Sequence, residues 1–164
     1  MDSYRYLDFV TRQIIRAWVE REPTRPSPWA PLARPLERAT VAIVSTAGVA
    51  RRDDVPFDEA RERENPWWGD PTFRRIPRET RTSDVEIHHL HVDRRFARAD
   101  LDVVLPLRRL DELVAAGKVG RSAPHHYSLM GYILDPTELL AETAPKLIAS
   151  LKAEGVEAVV LVPA

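Results

Sequence analysis

Hydrophobic residues recur along this chain in three rhythms. Near the N-terminus Leu7, Val10, Ile14 and Ala17 keep a helical spacing with Trp18 beside them, which predicts a helix over about residues 3–20 capped by Asp2 or Ser3. A continuous apolar run, Thr40-Val41-Ala42-Ile43-Val44-Ser45, predicts a strand buried on both faces, as in a parallel sheet, and it opens into Thr46-Ala47-Gly48. Val85 to His91 alternates well enough for a second strand, and Ala158 to Val162 forms a third apolar run.

Helical spacing returns twice. Pro106 suits a first helical position, with Leu107, Leu110, Leu113 and Val114 on one face and Gly117 as terminator. Asp135-Pro136-Thr137-Glu138 reads as a start signal, with Asp135 as cap and Glu138 reaching back. Leu139, Leu140, Leu147, Ile148 and Leu151 make the stripe, and Gly155 turns the chain into the last strand. A helix running through a tight glycine turn into an apolar strand is the closing half of a β-α-β unit. Between these elements, Pro23, Pro26, Pro28, Pro31 and Pro35 predict an extended connector, pinned to the body by Trp29 and Leu32. Residues 51–82 carry charge and proline but also Phe57, Trp67, Trp68 and Phe73, which predicts an ordered excursion over the domain. Residues 121–134 read as irregular. The expected architecture is one α/β domain over residues 1–164, with a small, mostly parallel sheet flanked by helices. Residues 1–22 supply its N-terminal helix and 23–39 the proline-rich connector.

Composition narrows the function. With 44% hydrophobic and 30% charged residues the chain is ordinary for a folded domain, and a net charge of −1 gives no reason to expect nucleic acid or an anionic membrane. No apolar stretch reaches about 18 residues, and Asp2, Arg5, Asp8 and Arg12 are unlike a secretory leader. The cytoplasm is the expected location. The absence of cysteine excludes a disulfide framework, a thiolate zinc site and a cysteine nucleophile within these residues. Lys118, Lys146 and Lys152 are the sole lysines, an arginine bias that GC-rich coding explains better than a binding face.

Candidate chemistry gathers just past the strands. Thr46-Ala47-Gly48, His91-Val92-Asp93 and whatever follows Ala164 would meet on one edge of a parallel sheet, where α/β crevices form. Thr46 brings a hydroxyl and Gly48 close backbone approach, although a plain turn explains the same residues. All five histidines lie in two clusters, His88/His89/His91 and His125/His126. His89 and His91 would share a strand face, so a metal site could combine them with His125 or His126 and Asp93. Alternatively His91 or His126 serves as a general acid or base, or His88 and His125 are simply exposed while the others satisfy buried backbone groups. Asp100, Asp102, Arg108, Arg109 and Asp111 read as a solvated face, with Arg109 able to hold a carboxylate.

Taken in order, several segments resemble the glycine/sarcosine/betaine reductase selenoprotein B family, which includes D-proline reductase subunits. They are Trp29-Ala30 with Pro35-Leu36, Val41 to Val49, Pro56-Phe57-Asp58, Gly69-Asp70, Phe73-Arg74, Ile76-Pro77-Arg78, His91-Val92-Asp93, Asp100 to Leu107, His126 to Tyr132 and Ala158 to Ala164. The resemblance implies reductive C–N bond cleavage of an amino acid or amine derivative by a selenocysteine or cysteine. That residue is expected just after Ala164, about where this sequence stops; a stop-read selenocysteine codon is one explanation. It also implies a partner subunit with a pyruvoyl group, a thioredoxin-like electron donor and a homo-oligomer. On this reading His91, Asp93 and His126 are the catalytic candidates, and Thr46, Ala47, Gly48 and Ser128 bind substrate. The rivals are a catalytically silent binding or assembly module and a His/Asp metal-dependent hydrolase.

Overall fold

The computed structural model describes residues 8–21, 26 and 28–164. Two compact units divide the chain at Pro31 and Leu32. In the first, α1 (Phe9–Arg21) begins where the Asp8 carboxylate accepts the Thr11 N–H at 3.0 Å, replacing one of the partners that a first helical turn lacks. The expected caps Asp2 and Ser3 lie outside the described residues. The apolar stripe Val10, Ile14 and Trp18 is exposed. Trp29, in the first unit, and Leu32, at the start of the second, are both exposed.

The second unit is built around β1 (Thr40–Ser45). Along one edge β1 takes β7 (Ala158–Val162) in parallel, from Val41 beside Ala158 to Ser45 beside Val162. Its other edge takes two short parallel strands end to end, β5 (Arg121–Ser122) and then β6 (His125–Ser128). Antiparallel to β6 runs β3 (Arg74–Pro77). The mostly parallel α/β sheet expected from the sequence is therefore present, with β1 paired on both sides.

Side chains alternate across β1, so each face builds its own core. Val41 and Ile43 join Leu101, Leu105 and the buried stripe Leu107 and Leu110 of α4 (Leu107–Ala115). Ala42 and Val44 face the other way, onto Tyr127 and onto Leu147 and Leu151 of α5 (Ala144–Ala153). At about 25 cal/mol per Å² of apolar surface removed from water, these two faces drive the fold. The helix containing α5 opens as a wide π-turn over Leu139–Thr143. Pro145 explains it, because a proline in the first turn of α5 cannot donate to a carbonyl one turn back.

The strand expected over 85–91 is shorter and belongs elsewhere. β4 (Val85–Ile87) pairs antiparallel with β2 (Val49–Arg51) in a separate two-stranded ribbon. His88 to His91 are thus off the strand, and His89 and His91 share no strand face. Residues 121–134 are less irregular than expected, since they contain β5 and β6. Polar side chains disguised them: Ser122, His126 and Ser128 are all buried inside the sheet.

The excursion over 51–82 is ordered, as expected, and Arg74 is the reason. Its guanidinium is buried and donates to the carbonyls of Val55 (2.6 Å), Pro56 (2.9 Å) and Phe73 (3.0 Å) and to the Thr72 hydroxyl (2.8 Å). It also lies 4.2 Å over the Phe57 ring and 3.7 Å from the Asp70 carboxylate. Planar, multidentate donation of this kind suits arginine alone among the basic residues. The excursion carries α2 (Glu59–Glu64), capped by Asp58. A further short helix, α3 (Arg94–Ala99), follows the histidine cluster.

Candidate functional site

The turn leaving β1 is held from three sides. Ser45 turns inward: its hydroxyl donates to the Val104 carbonyl at 2.7 Å and accepts from the Ala47 N–H at 3.2 Å. Gly48 adopts φ +63°, its N–H donates to the Leu129 carbonyl at 2.9 Å, and its carbonyl accepts from the His88 N–H at 2.8 Å. The left-handed backbone demands glycine, and a Cβ there would also press on the Met130 sulfur at 2.7 Å. The Ser128 hydroxyl is buried and accepts the Val49 N–H at 2.8 Å. Ala47 is buried and bridges to Met130.

Thr46 is the member of that turn that faces the rim. Its N–H extends the ladder to the Val162 carbonyl at 3.0 Å, and its hydroxyl accepts the Ala164 N–H at 2.9 Å. Opposite stands Gly131. A Cβ added to Gly131 would sit 3.0 Å from His89 Nε2, 3.0 Å from the Thr46 carbonyl oxygen and 3.1 Å from the Ala164 carbonyl oxygen. Three segments from distant parts of the chain therefore close on one point: the turn after β1, the histidine segment after β4, and the end of β7.

His89 is the imidazole at that point. It is buried, and its Nδ1 accepts the His91 N–H at 3.2 Å, which leaves the proton of the neutral ring on Nε2. Burial, reinforced by the positive fields of His91 and Arg94, lowers its pKa below the usual histidine value. At neutral pH it is an uncharged donor directed at the rim.

Behind it lies a second arrangement. His91 is about half exposed, its ring packs 4.2 Å from that of Tyr132, and its Nε2 lies 3.2 Å from Glu62 Oε1. That distance makes an ion-pair contact, yet the ring N–H is out of line for a hydrogen bond, and Oε1 has no other partner. Glu62 on α2 is only 2% exposed, and burial pushes its pKa above the normal carboxylate value, opposed by the adjacent His91. Its neighbour Glu59 is well supplied with partners: the cations Arg63 at 2.7 Å and Arg94 at 3.0 Å, and the His88 ring at 3.3 Å.

The sequence-derived candidates therefore separate. Thr46, Gly48 and His91 stand at or next to the rim, with Ala47 and Ser128 directly behind it as buried supports. Asp93 turns back on its own helix, where it caps α3 by accepting the Arg95 N–H at 3.1 Å and pairs with the Arg95 guanidinium at 2.6 Å. His126 is inside the sheet, fully buried: Nδ1 accepts the Ile43 N–H at 2.9 Å, and Nε2 lies 3.2 Å from the Ser122 hydroxyl. Burial pushes its pKa down to about 4, so it braces the sheet as a neutral ring. Arg109 holds carboxylates of its own neighbourhood, Glu112 at 2.8 Å and Asp102 at 3.5 Å. Among the described residues no group of three His, Asp or Glu side chains is arranged to hold a metal ion. Nor, among them, is any helix long and apolar enough to cross a membrane. Glu62 and Tyr132 were not singled out from sequence as working residues, and His89 only as one ligand of a possible metal site. Glu62 was legible only as one charge in the excursion over 51–82.

A mostly parallel sheet in which β1 and β7 end side by side, with helices packed on both faces, defines an α/β domain. Residues 21–164 match the family model of glycine/sarcosine/betaine reductase selenoprotein B, and the chain belongs to that family. It is 32% identical over 138 residues to the D-proline reductase subunit gamma of Acetoanaerobium sticklandii, an alignment covering 84% of this chain and 54% of that protein. It is 30% identical over 132 residues to the glycine reductase complex component B subunit gamma of Carboxydothermus hydrogenoformans, covering 80% of this chain and 29% of that protein. The chain thus spans about half, or less, of the relatives it matches. No solved structure matches it.

Proposed function

We propose that this chain forms the substrate-side domain of a reductase-complex subunit that cleaves a C–N bond of an amino acid or amine derivative. A selenocysteine or cysteine carried into the turn that leaves β7 supplies the nucleophilic, electron-carrying atom. The observation that supports this reading best is the Thr46 hydroxyl's hold on the Ala164 N–H at 2.9 Å, beside His89 and Gly131. The chain's own residues fit such an anion. His89 presents an N–H without a positive charge of its own, Gly131 lets the turn after β1 and the end of β7 close together beside it, and Thr46 fixes the direction in which the chain leaves β7.

Reductive C–N cleavage also requires a proton for the departing amine and two electrons from outside. His91 is the titratable group on the solvent side of the rim and is assigned the proton. The electrons are assigned to a thioredoxin-like dithiol donor, and activation of the amine to a pyruvoyl-bearing partner subunit. Both assignments rest on the family alone. Asp93 and His126 are assigned supporting roles, as helix cap and sheet brace, in place of direct chemistry.

Extending the chain after Ala164 with Cys-x-x-Cys tests the reading. Dithiol-dependent C–N cleavage, read as ring opening of D-proline or as release of the amine from glycine, sarcosine or betaine, is expected with the pyruvoyl-bearing subunit of a relative present. Absence of turnover with all four, despite a folded extension, would overturn it.

One observation favours a second reading, an assembly module without chemistry of its own. β7 pairs with β1 along one edge only, and its Val160 and Leu161 are exposed, Leu161 to 73%. Exposed apolar side chains on an unpaired edge invite another strand. Sedimentation of the chain alone and after Leu161→Lys separates the readings: a dimer abolished by the substitution supports assembly through this edge.

A further inference from the structure

The Glu62 carboxylate has no role in the account so far, yet it is the most expensive group near the rim. A carboxylate that is 2% exposed, with Oε1 lacking any aligned donor, is retained at a cost of a few kcal/mol unless a cation compensates it. Its surroundings limit the compensation. On its own helix Glu59 repels it, while Arg63 attracts it but is itself paired with Glu59. From the facing segment the group that meets it is His91, with Nε2 at 3.2 Å from Oε1. His91 in turn is fixed in orientation by the Tyr132 ring at 4.2 Å, and Tyr132 follows Gly131 at the rim. Among the described residues nothing hydrogen-bonds His91 Nδ1, and half of the side chain is open to solvent.

We infer that Glu62 and His91 form a carboxylate–imidazole dyad, in which Glu62 is a positioning residue that keeps a proton on Nε2 and presents Nδ1 outward as the proton-exchanging atom. An ionised carboxylate accepts and never donates, so it selects the Nε2–H form of the ring beside it. The same carboxylate fixes the tautomer of the ring, as second-layer carboxylates do for ligand imidazoles. Burial keeps the field of Glu62 unscreened by salt, while the exposed edge of His91 keeps Nδ1 within reach of substrate. Proton exchange through Nδ1 moves one proton and no electrons, so the dyad needs no co-reactant. Its place in catalysis rests on the reductase reading above; its existence does not.

The test uses the chain as it is and requires no turnover. Long-range 1H–15N spectra of the unsubstituted protein above neutral pH are expected to show the His91 proton on Nε2; a proton on Nδ1 overturns the dyad. Acylation by diethyl pyrocarbonate, read for each histidine by peptide mass spectrometry, gives the second measurement. In Glu62→Gln the acylation rate of His91 is expected to fall about threefold or more, because the ring loses the group that keeps its proton on Nε2 and leaves Nδ1 free to react. His125, on another edge of the sheet, serves as the control and is expected to keep its rate. An unchanged His91 rate in E62Q, with His125 also unchanged, overturns the dyad. Should His126 become reactive, E62Q has lost its fold and the Nε2 measurement on the unsubstituted chain decides. Failure of the extended chain to cleave the C–N bond of any of the four substrates, with the dyad intact, would count against the reductase reading alone.

Discussion

Thr46 and Ala164 are joined by a hydrogen bond of 2.9 Å between residues 118 positions apart. The turn that leaves the central strand therefore holds the last described backbone N–H of the edge strand beside it. Thr46→Val keeps the shape of the side chain and removes the acceptor. Because the bond is solvent-exposed, global stability is expected to change by no more than about 1 kcal/mol. The Ala164 amide is expected to exchange its hydrogen several-fold faster, and an unchanged rate would show that the hydroxyl does not hold this turn.

Gly131 offers a sharper perturbation of the same point. In Gly131→Ala the new methyl meets His89 Nε2 and two carbonyl oxygens at 3.0–3.1 Å, two of the three contacts being backbone. Overpacking of this kind is expected to cost about 1–3 kcal/mol. Urea denaturation measures it. A cost below the error of the method would mean that the rim relaxes freely.

His126 sets a pH dependence whose sign can be worked out. Its folded pKa of about 4 lies below the unfolded value of about 6.5, so the unfolded chain binds the extra proton first. The stability due to the neutral ring is complete above about pH 6.5 and is lost as pH falls through that range to about 4, an effect on the order of 3 kcal/mol. His88 and His89 are lowered in the same direction by burial and add to the loss. Denaturant midpoints from pH 4 to 8 are expected to fall toward acid, less steeply in His126→Gln. Parallel curves for the two proteins would contradict the buried neutral brace.

Arg74→Met removes donors from three carbonyls and a hydroxyl and leaves Asp70 without its buried cation. Breaking a buried pair from one side is expected to cost about 3–5 kcal/mol. Limited proteolysis is expected to cut within residues 51–73 of the variant before cutting the sheet. Cleavage at the same sites and rate as in the unsubstituted chain would show the excursion to be held by other means.

How much of this was readable beforehand varied by element. β1 and β7 were plain because both are continuous apolar runs, and α4 and α5 because proline and glycine mark their ends. β6 was hidden: His126 and Ser128 read as loop residues, yet each spends its polar atoms on a backbone N–H from Ile43 or Val49. The histidine segment was expected at the rim by way of a parallel strand. It arrives there through an antiparallel ribbon with β2, a pairing that depends on the positive φ of Gly48 and leaves no periodic trace. His91 was legible because imidazole is chemically distinctive. Glu62 was not, since burial is a property of three dimensions and Glu59, Glu62 and Glu64 look alike in a row.

The one-sided pairing of β7 has a mechanical consequence. β1 cannot be extracted without breaking ladders on both flanks, whereas β7 can be unzipped from one flank with the two-faced core left standing. Tension applied at Ala164 would peel this strand pair by pair, from Val162 back to Ala158, through the five paired positions of its ladder with β1. The rim can thus be opened from β7 without extracting the central strand.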